Sequence, residues 1–202
     1  MKTLCMDTTN RYLVIGLYED DRLISGTMKE SWKRQSETLF PMLIECMEEA
    51  GWDSDDIDEV VITDGPGSYT GVRIAMSVAK VFCTQKHLPL YTVSSLQLYA
   101  GLAANALVLM DARSHRAYVG IVDQGKLVEP ETILDLDEIQ RLVKENDYQV
   151  YGDAALLGMI SCPYDLLDNF IALRPFYRSV DNIHTLTPRY LKDQSAYHLE
   201  VK

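Results

Sequence analysis

The sequence predicts an α/β protein in two units, each with a mixed sheet, and three observations carry that reading. Short runs rich in branched and aromatic residues alternate with stretches whose apolar residues recur every three or four positions. The first three strand-like runs are joined by tight links, which predicts an antiparallel meander feeding a mixed sheet. A second series of the same kind restarts after Ala104-Asn105, so the predicted units are residues 1–103 and 104–202.

Each element follows from its residues. Thr3 to Met6 reads as a short inner strand, and Asp7-Thr8-Thr9-Asn10 as a polar turn. Tyr12 to Tyr18 is a second strand, turned by Asp20-Asp21 into a third, Arg22 to Lys29. Leu39, Met42, Leu43, Cys46, Met47 and Ala50 then mark one apolar helical face, closed by Gly51. Asp53 to Glu59 carries five acids and no base, so it is either a solvated connector or a patch for a metal or a basic partner. Val60 to Thr63 is a fourth strand, followed by a glycine-rich turn and a helix marked by Val72, Ala75, Met76, Ala79 and Phe82, ending near Lys86-His87. Leu90 to Val93 is a fifth strand, and Ser94 or Ser95 caps a helix holding Leu96, Leu98, Tyr99 and Leu102. In the second unit, Leu107 to Met110, Tyr118 to Val122 and Gln149 to Tyr151 read as strands, and Ile139, Leu142 and Val143 as a short helix. The turn Asp123 to Lys126 returns the chain through Leu127-Val128. Beyond Cys162, Pro163, Pro175 and Pro188 forbid long regular elements.

Composition narrows the functional classes. Of 202 residues 47% are hydrophobic, as in a packed globular protein. The net charge is -11, shared between the halves, so neither is a basic module and direct binding to nucleic acid is disfavoured. Cys5, Cys46, Cys83 and Cys162 lie far apart without a CxxC; the first three sit among apolar neighbours and are expected to pack as small hydrophobes in a reducing cytosol. The opening MKTLCMDT is not the pattern of a secretory signal, and no apolar run is long enough to cross a bilayer. His87, His115, His184 and His198 lack metal-binding spacing, so no metal site is expected.

The stretch DGPGSYTGVRIAMSVAKVF, Asp64 to Phe82, raises the question of a phosphate cradle. Several amides free at a helix start can hold an anion. GxxxxGK[ST] fails because Val72 and Arg73 follow Gly71, and GxGxxG fails because Thr70 stands three residues after Gly67. The turn is either a weak anion site with Gly67 and Gly71 as candidate nucleotide contacts, or a tight turn that positions a helix. Arg73 offers a fork to phosphate or carboxylate, or a salt bridge to Asp64 or to the acids upstream. Asp7 is either a holder of a water-bridged magnesium ion or the acceptor of a hydrogen-bonded turn. Asp111 and Arg113 orient a ligand or form a local ion pair. No nucleophile–base signature appears, so no catalytic residue is assigned. These groups do not amount to a phosphoryl-transfer site, which needs charge neutralised on both sides of the phosphoryl.

The spacing of Asp7-Thr8-Thr9, Gln35-Ser36-Glu37 with Leu39-Phe40-Pro41, GPGSYTGVRIAMSVAKVF, Val93 to Leu96 and Asp111 to Arg113 resembles the bacterial TsaB family, also called YeaZ. The resemblance spans residues 1 to 125; beyond that it lies in length and in PRYLK, Pro188 to Lys192. It implies two domains of the actin, sugar-kinase and Hsp70 (ASKHA) type. It also implies a non-catalytic subunit in making N6-threonylcarbamoyladenosine in transfer RNA, with TsaD as the catalytic partner and the ATPase TsaE joining at their junction. ATP or ADP with magnesium is then expected at that junction rather than tightly bound here, and transfer RNA is met through the complex. By the same resemblance the first-domain helices dock on TsaD or on a second copy, a homodimer. The expected interface is Leu39, Met42, Leu43, Cys46, Val72, Arg73, Ala75, Met76, Ala79 and Phe82, with the small residues Ala75 and Ala79 permitting close packing. Many relatives carry histidine where Gln35 stands. The alternative is an independent small-molecule kinase or ATPase of the same fold.

Overall fold

The structure, a computed structural model, describes residues 1–31 and 34–191. Lys192 of the PRYLK stretch and His198 lie outside them. The described residues form two sheets and five α-helices in alternating layers. In the first sheet, β1 (Lys2–Asp7), β2 (Tyr12–Glu19) and β3 (Arg22–Glu30) form the expected antiparallel meander. β4 (Glu59–Thr63) and β5 (Leu90–Val93) add to β1 in parallel, and β11 (Arg178–Ser179) closes the far edge against β5, giving the order β11-β5-β4-β1-β2-β3. The second sheet joins β6 (Ala106–Arg113) to β7 (Arg116–Asp123) as a hairpin. β8 (Lys126–Leu127) and β9 (Thr132–Asp135) pair with β7, and β10 (Gln149–Gly152) runs parallel to β6.

Strand periodicity decides which layer each side chain joins. Along β1, Leu4 and Met6 face α1 (Gln35–Ala50) and α2 (Tyr69–Lys86), whereas Cys5 faces the opposite side. That opposite side packs on α3 (Ser95–Ala100) and α5 (Leu166–Ala172), whose core is continuous with Val108 and Met110 of β6. The outer face of the second sheet, with Leu107, Leu109 and Val119, is covered by α4 (Leu136–Glu145). Cys5, Cys46 and Cys83 are buried in these cores as free thiols, and burial pushes the Cys83 thiol up to about 12. They pack as small hydrophobes, as the sequence predicted.

Three local outcomes differ from the sequence reading. The helix α2 starts three residues before Val72, because Ser68 caps it by accepting from the Gly71 amide at 3.2 Å. The acidic run 53–59 is largely paired: Asp56 meets Lys2 at 2.7 Å, Asp55 meets Lys86, and buried Glu59 meets Arg174 at 2.6 Å. Those bases come from distant positions, so the run is neither a simple solvated connector nor an open cationic-partner patch. Finally, the boundary expected after Ala103 separates the two sheets, but β11, from beyond it, is hydrogen-bonded into the first. The same returning segment runs on over the glycine turn, where the Arg189 amide donates to the Asp64 carbonyl at 2.8 Å.

Candidate functional site

A cavity of about 840 Å³ lies between the two sheets. Its floor is the turn Thr9-Asn10, one wall is the glycine turn with the start of α2, and the opposite wall is the β6–β7 hairpin. Gln35 enters from the first turn of α1, and Pro188 and Tyr190 close the rim from the returning segment. Gly67 and Gly71 are therefore brought to one place with Asp111 and Arg113, whereas Asp7 and Arg73 do not line the cavity.

The glycine turn is shaped by packing. A Cβ on Gly71 would strike the Thr8 carbonyl oxygen, and one on Gly67 would strike that of Thr9. The two glycines let α2 press its first turn onto the β1–β2 turn. Three amides there are engaged within the chain: Ser68 donates to the Thr9 carbonyl at 2.7 Å, Gly71 to the Ser68 hydroxyl, and Val72 to the Ser68 carbonyl at 2.9 Å. Thr8 Oγ1 locks the contact, donating to the Gly71 carbonyl at 2.6 Å and accepting from the Ala75 amide at 3.1 Å.

Asp7 lies beneath this turn, fully buried and off the cavity wall. Its Oδ1 accepts from the Thr9 amide at 3.1 Å, the Thr9 hydroxyl at 2.7 Å and the Thr63 hydroxyl. Oδ2 has no partner. Burial pushes the Asp7 carboxyl above its ordinary value, against the pull of those donors. Of the two readings of Asp7, the hydrogen-bonded turn describes this geometry.

Arg73 makes neither salt bridge suggested by the sequence. Its Nε donates to Tyr190 Oη at 2.8 Å, and its guanidinium sits 4.4 Å from the Tyr69 ring centre. Tyr69 and Tyr190 stack at 5.2 Å. Asp64 is held instead by Arg178 at 2.9 Å and Arg189 at 3.2 Å. Arg189 also pairs with Glu131, to which Ser94 donates. Burial pushes the Glu131 carboxyl up, with Arg189 pulling the other way. Across the cavity Asp111 and Arg113 form an ion pair at 3.0 Å. Asp153 ties the units together: it accepts from Arg11 at 2.7 Å and from the Asp111 amide at 2.9 Å. No local pattern marks Arg189, Glu131 or Asp153, because their partners lie 37 to 143 residues away.

The expected docking residues need correction. Leu39, Cys46, Val72, Ala75, Met76 and Ala79 are at most 3% exposed, and all face the first sheet. Met42, Leu43 and Phe82 are partly buried against the same core. Apolar and small residues at helical spacing mark the covered side of a helix, and here the chain's own sheet covers it. Of the set, Arg73 alone is exposed. The outward side carries other residues at the same spacing: Phe40 and Ile44 on α1, each 56% exposed, and Val81 on α2, 65% exposed. Phe40 lines a groove of about 480 Å³ between α1 and α2 that shares Ser36, Tyr69, Thr70 and Ile74 with the cavity.

With this geometry in hand, similarity to known proteins is informative. Residues 29–168 match the family model described as TsaD: tRNA N6-adenosine threonylcarbamoyltransferase. A Bacillus subtilis protein named tRNA threonylcarbamoyladenosine biosynthesis protein TsaB is 31% identical over 158 residues, covering 74% of this chain and 69% of that one. The chain belongs to the TsaB family. The Escherichia coli TsaB is 27% identical over 58% of this chain, and the match spans about half, 53%, of its own length. The solved structure named YeaZ from Pseudomonas aeruginosa superposes with a TM-score of 0.75 at 22% identity, covering 94% of this chain and 99% of that one. The fold is thus that of the solved YeaZ structure, an α/β arrangement with mixed sheets.

Proposed function

We propose that the chain takes part in threonylcarbamoyladenosine biosynthesis on transfer RNA as a non-catalytic subunit, docking a TsaD-like transferase on the outer face of α1 and α2. The observation that carries this reading is the exposure of the large apolar residues Phe40, Ile44 and Val81, with Phe40 lining an open groove between α1 and α2. Large exposed apolar side chains in a contiguous strip are characteristic of protein-binding faces. The same face serves a second copy when the transferase is absent, so homodimer and heterodimer compete. The names of the relatives support the pathway. Engaged amides in the glycine turn and the sealed Asp7 support a subunit that leaves phosphoryl and transfer chemistry to its partners. TsaE, with ATP or ADP and magnesium, works at the junction of the two subunits, in the cytoplasm, and transfer RNA is gripped mainly by the partners, as the net charge of -11 favours. Among the described residues no helix is long and apolar enough to cross a membrane.

The test is reconstitution. The purified chain alone should give no modified transfer RNA, and product should appear when TsaD, TsaE, threonylcarbamoyl adenylate and transfer RNA are added. Ile44→Arg and Val81→Arg should each abolish co-purification with TsaD and lower product, while circular dichroism stays that of the parent. Full product in the absence of this chain would overturn the proposal, as would intact docking in both variants.

A further inference from the structure

Apolar contact is non-directional, so the exposed side chains of α1 and α2 alone do not fix how a partner is turned upon them. A charged group at a defined place does. On α1, Glu37, Phe40, Ile44 and Glu48 follow one another three or four residues apart and are all exposed; on α2 so do Arg73, Ser77 and Val81. The helix α1 contains acids and no base, and α2 contains bases and no acid. The outer face is therefore divided by sign.

Arg73 differs from the other bases of α2. Lys86 pairs with Asp55, and Lys80 Nζ donates to the His184 and Leu186 carbonyls of the returning segment. Among the described residues no carboxylate pairs with Arg73. It is nonetheless held in place. The guanidinium lies 4.4 Å from the Tyr69 ring centre, and Tyr190 Oη accepts from Nε at 2.8 Å. Tyr190 is in turn fixed through its neighbour Arg189, whose amide donates to the Asp64 carbonyl at 2.8 Å and whose guanidinium donates to the Gly65 carbonyl at 2.7 Å. A long side chain braced in this way loses little freedom when it binds. Arginine and tyrosine are also the residues enriched where binding energy concentrates.

With Nε given to Tyr190, a planar acceptor with two oxygens can meet the terminal nitrogens of the fork. Carboxylate and phosphate both have that shape. The acids of α1 and the net charge of -11 oppose a phosphate chain laid across this face. A protein surface can instead present one carboxylate to Arg73 and bases to Glu37 and Glu48. We propose that Arg73 is the polar anchor of the docking face, taking a side-chain carboxylate of the transferase on its fork, with Tyr69 and Tyr190 as positioning residues. The proposal rests on the reading that the outer face of α1 and α2 docks that subunit, and it adds the group that sets the register.

Calorimetry with purified TsaD at low and high salt tests it, with thermal melts checking that each variant folds. Arg73→Gln should weaken binding at least about tenfold and flatten its dependence on salt. Arg73→Lys, which keeps the charge and loses the fork, should recover only part of the affinity. Tyr190→Phe keeps the ring and removes the acceptor, so it should weaken binding less than Arg73→Gln does, and add nothing to that variant. Arg73→Glu should abolish binding. Within a set of single Asp→Arg and Glu→Arg variants of TsaD, one should restore binding to Arg73→Glu while losing it to the parent. If Ile44→Arg and Val81→Arg leave docking intact, the face is misread and the anchor falls with it. If they abolish docking while Arg73→Gln leaves affinity and salt dependence unchanged, or if no reversed TsaD rescues Arg73→Glu, the anchor alone is overturned. Transfer RNA binding by the lone chain that disappears in Arg73→Gln would overturn it in favour of a phosphate.

Discussion

Asp7 shows how one residue can look catalytic in sequence and serve structure in the fold. Three donors converge on Oδ1 while Oδ2 has none, and burial holds the carboxyl above its ordinary titration range. A carboxyl whose folded pKa exceeds its unfolded one favours folding most at low pH. The native state loses stability as pH rises from the unfolded value through the folded one, and the cost is fully present above it. Asp7→Asn keeps the acceptor and removes the charge, so it should melt at or above the parent temperature at pH 7, with the gap narrowing toward pH 4. Asp7→Ala strands the Thr9 and Thr63 donors instead and should destabilise by about 2–4 kcal/mol, measured by urea unfolding. Equal stability of Asn and Ala variants would contradict this account. A strand ending in Asp-Thr-Thr leaves both readings of Asp7 open, because the deciding contact, Thr63, lies 56 residues away.

At the scale of elements, local pattern revealed most of what is regular. The meander, the two long helices and the capping serine of α3 follow from alternation, helical spacing and cap chemistry within a few residues of one another. Which side of α1 and α2 is left exposed was not legible in the same way. The stripe at Ala75 and Ala79 is real, but spacing reports that a face is covered and not what covers it; β4 lies there. The signal that would have found the outer row was the spacing of Phe40 and Ile44 on the side opposite Leu39 and Cys46. It follows that Ala75→Arg should unfold the monomer rather than separate a dimer, detectable as loss of the cooperative melt. The returning segment was least legible, since its regularity comes from ion pairs rather than from periodicity. Arg189 neutralises Asp64 and Glu131 together. Arg189→Ala should therefore cost about 3 kcal/mol at pH 7. The penalty should shrink as pH falls, because burial holds the Glu131 carboxyl above its ordinary value and lets it take up a proton once Arg189 is gone; a penalty independent of pH would argue against it as the source.

Taken whole, the molecule is two sheets joined by few polar ties around a shared cavity. Asp153 is the chief tie on the second sheet, bonding to Arg11 from the first and to the Asp111 amide on its own. Asp153→Ala should expose the Asp111 amide to faster hydrogen exchange and loosen the Thr9-Asn10 turn, while protection in the middle of α2 stays unchanged. Uniform loss of protection across both sheets would show instead that the tie supports global stability. The start of the second sheet was legible from the apolar run after Asn105, but the way the ends of the chain interlace was not. β11 and Arg189 reach back across more than eighty residues to the strand and turn they complete.

One feature of this plan reaches beyond stability. Ser36, Tyr69, Thr70 and Ile74 form a partition with the inter-sheet cavity on one side and the outer groove on the other. A guest on one side and a helix seated on the other must therefore both make terms with the same four side chains. If either changes their positions, its effect on the other is reciprocal: a tenfold gain in grip for the helix upon filling the chamber means a tenfold gain for the guest upon seating the helix. A thin shared partition thus gives this subunit the means to report the state of its interior to whatever sits upon it.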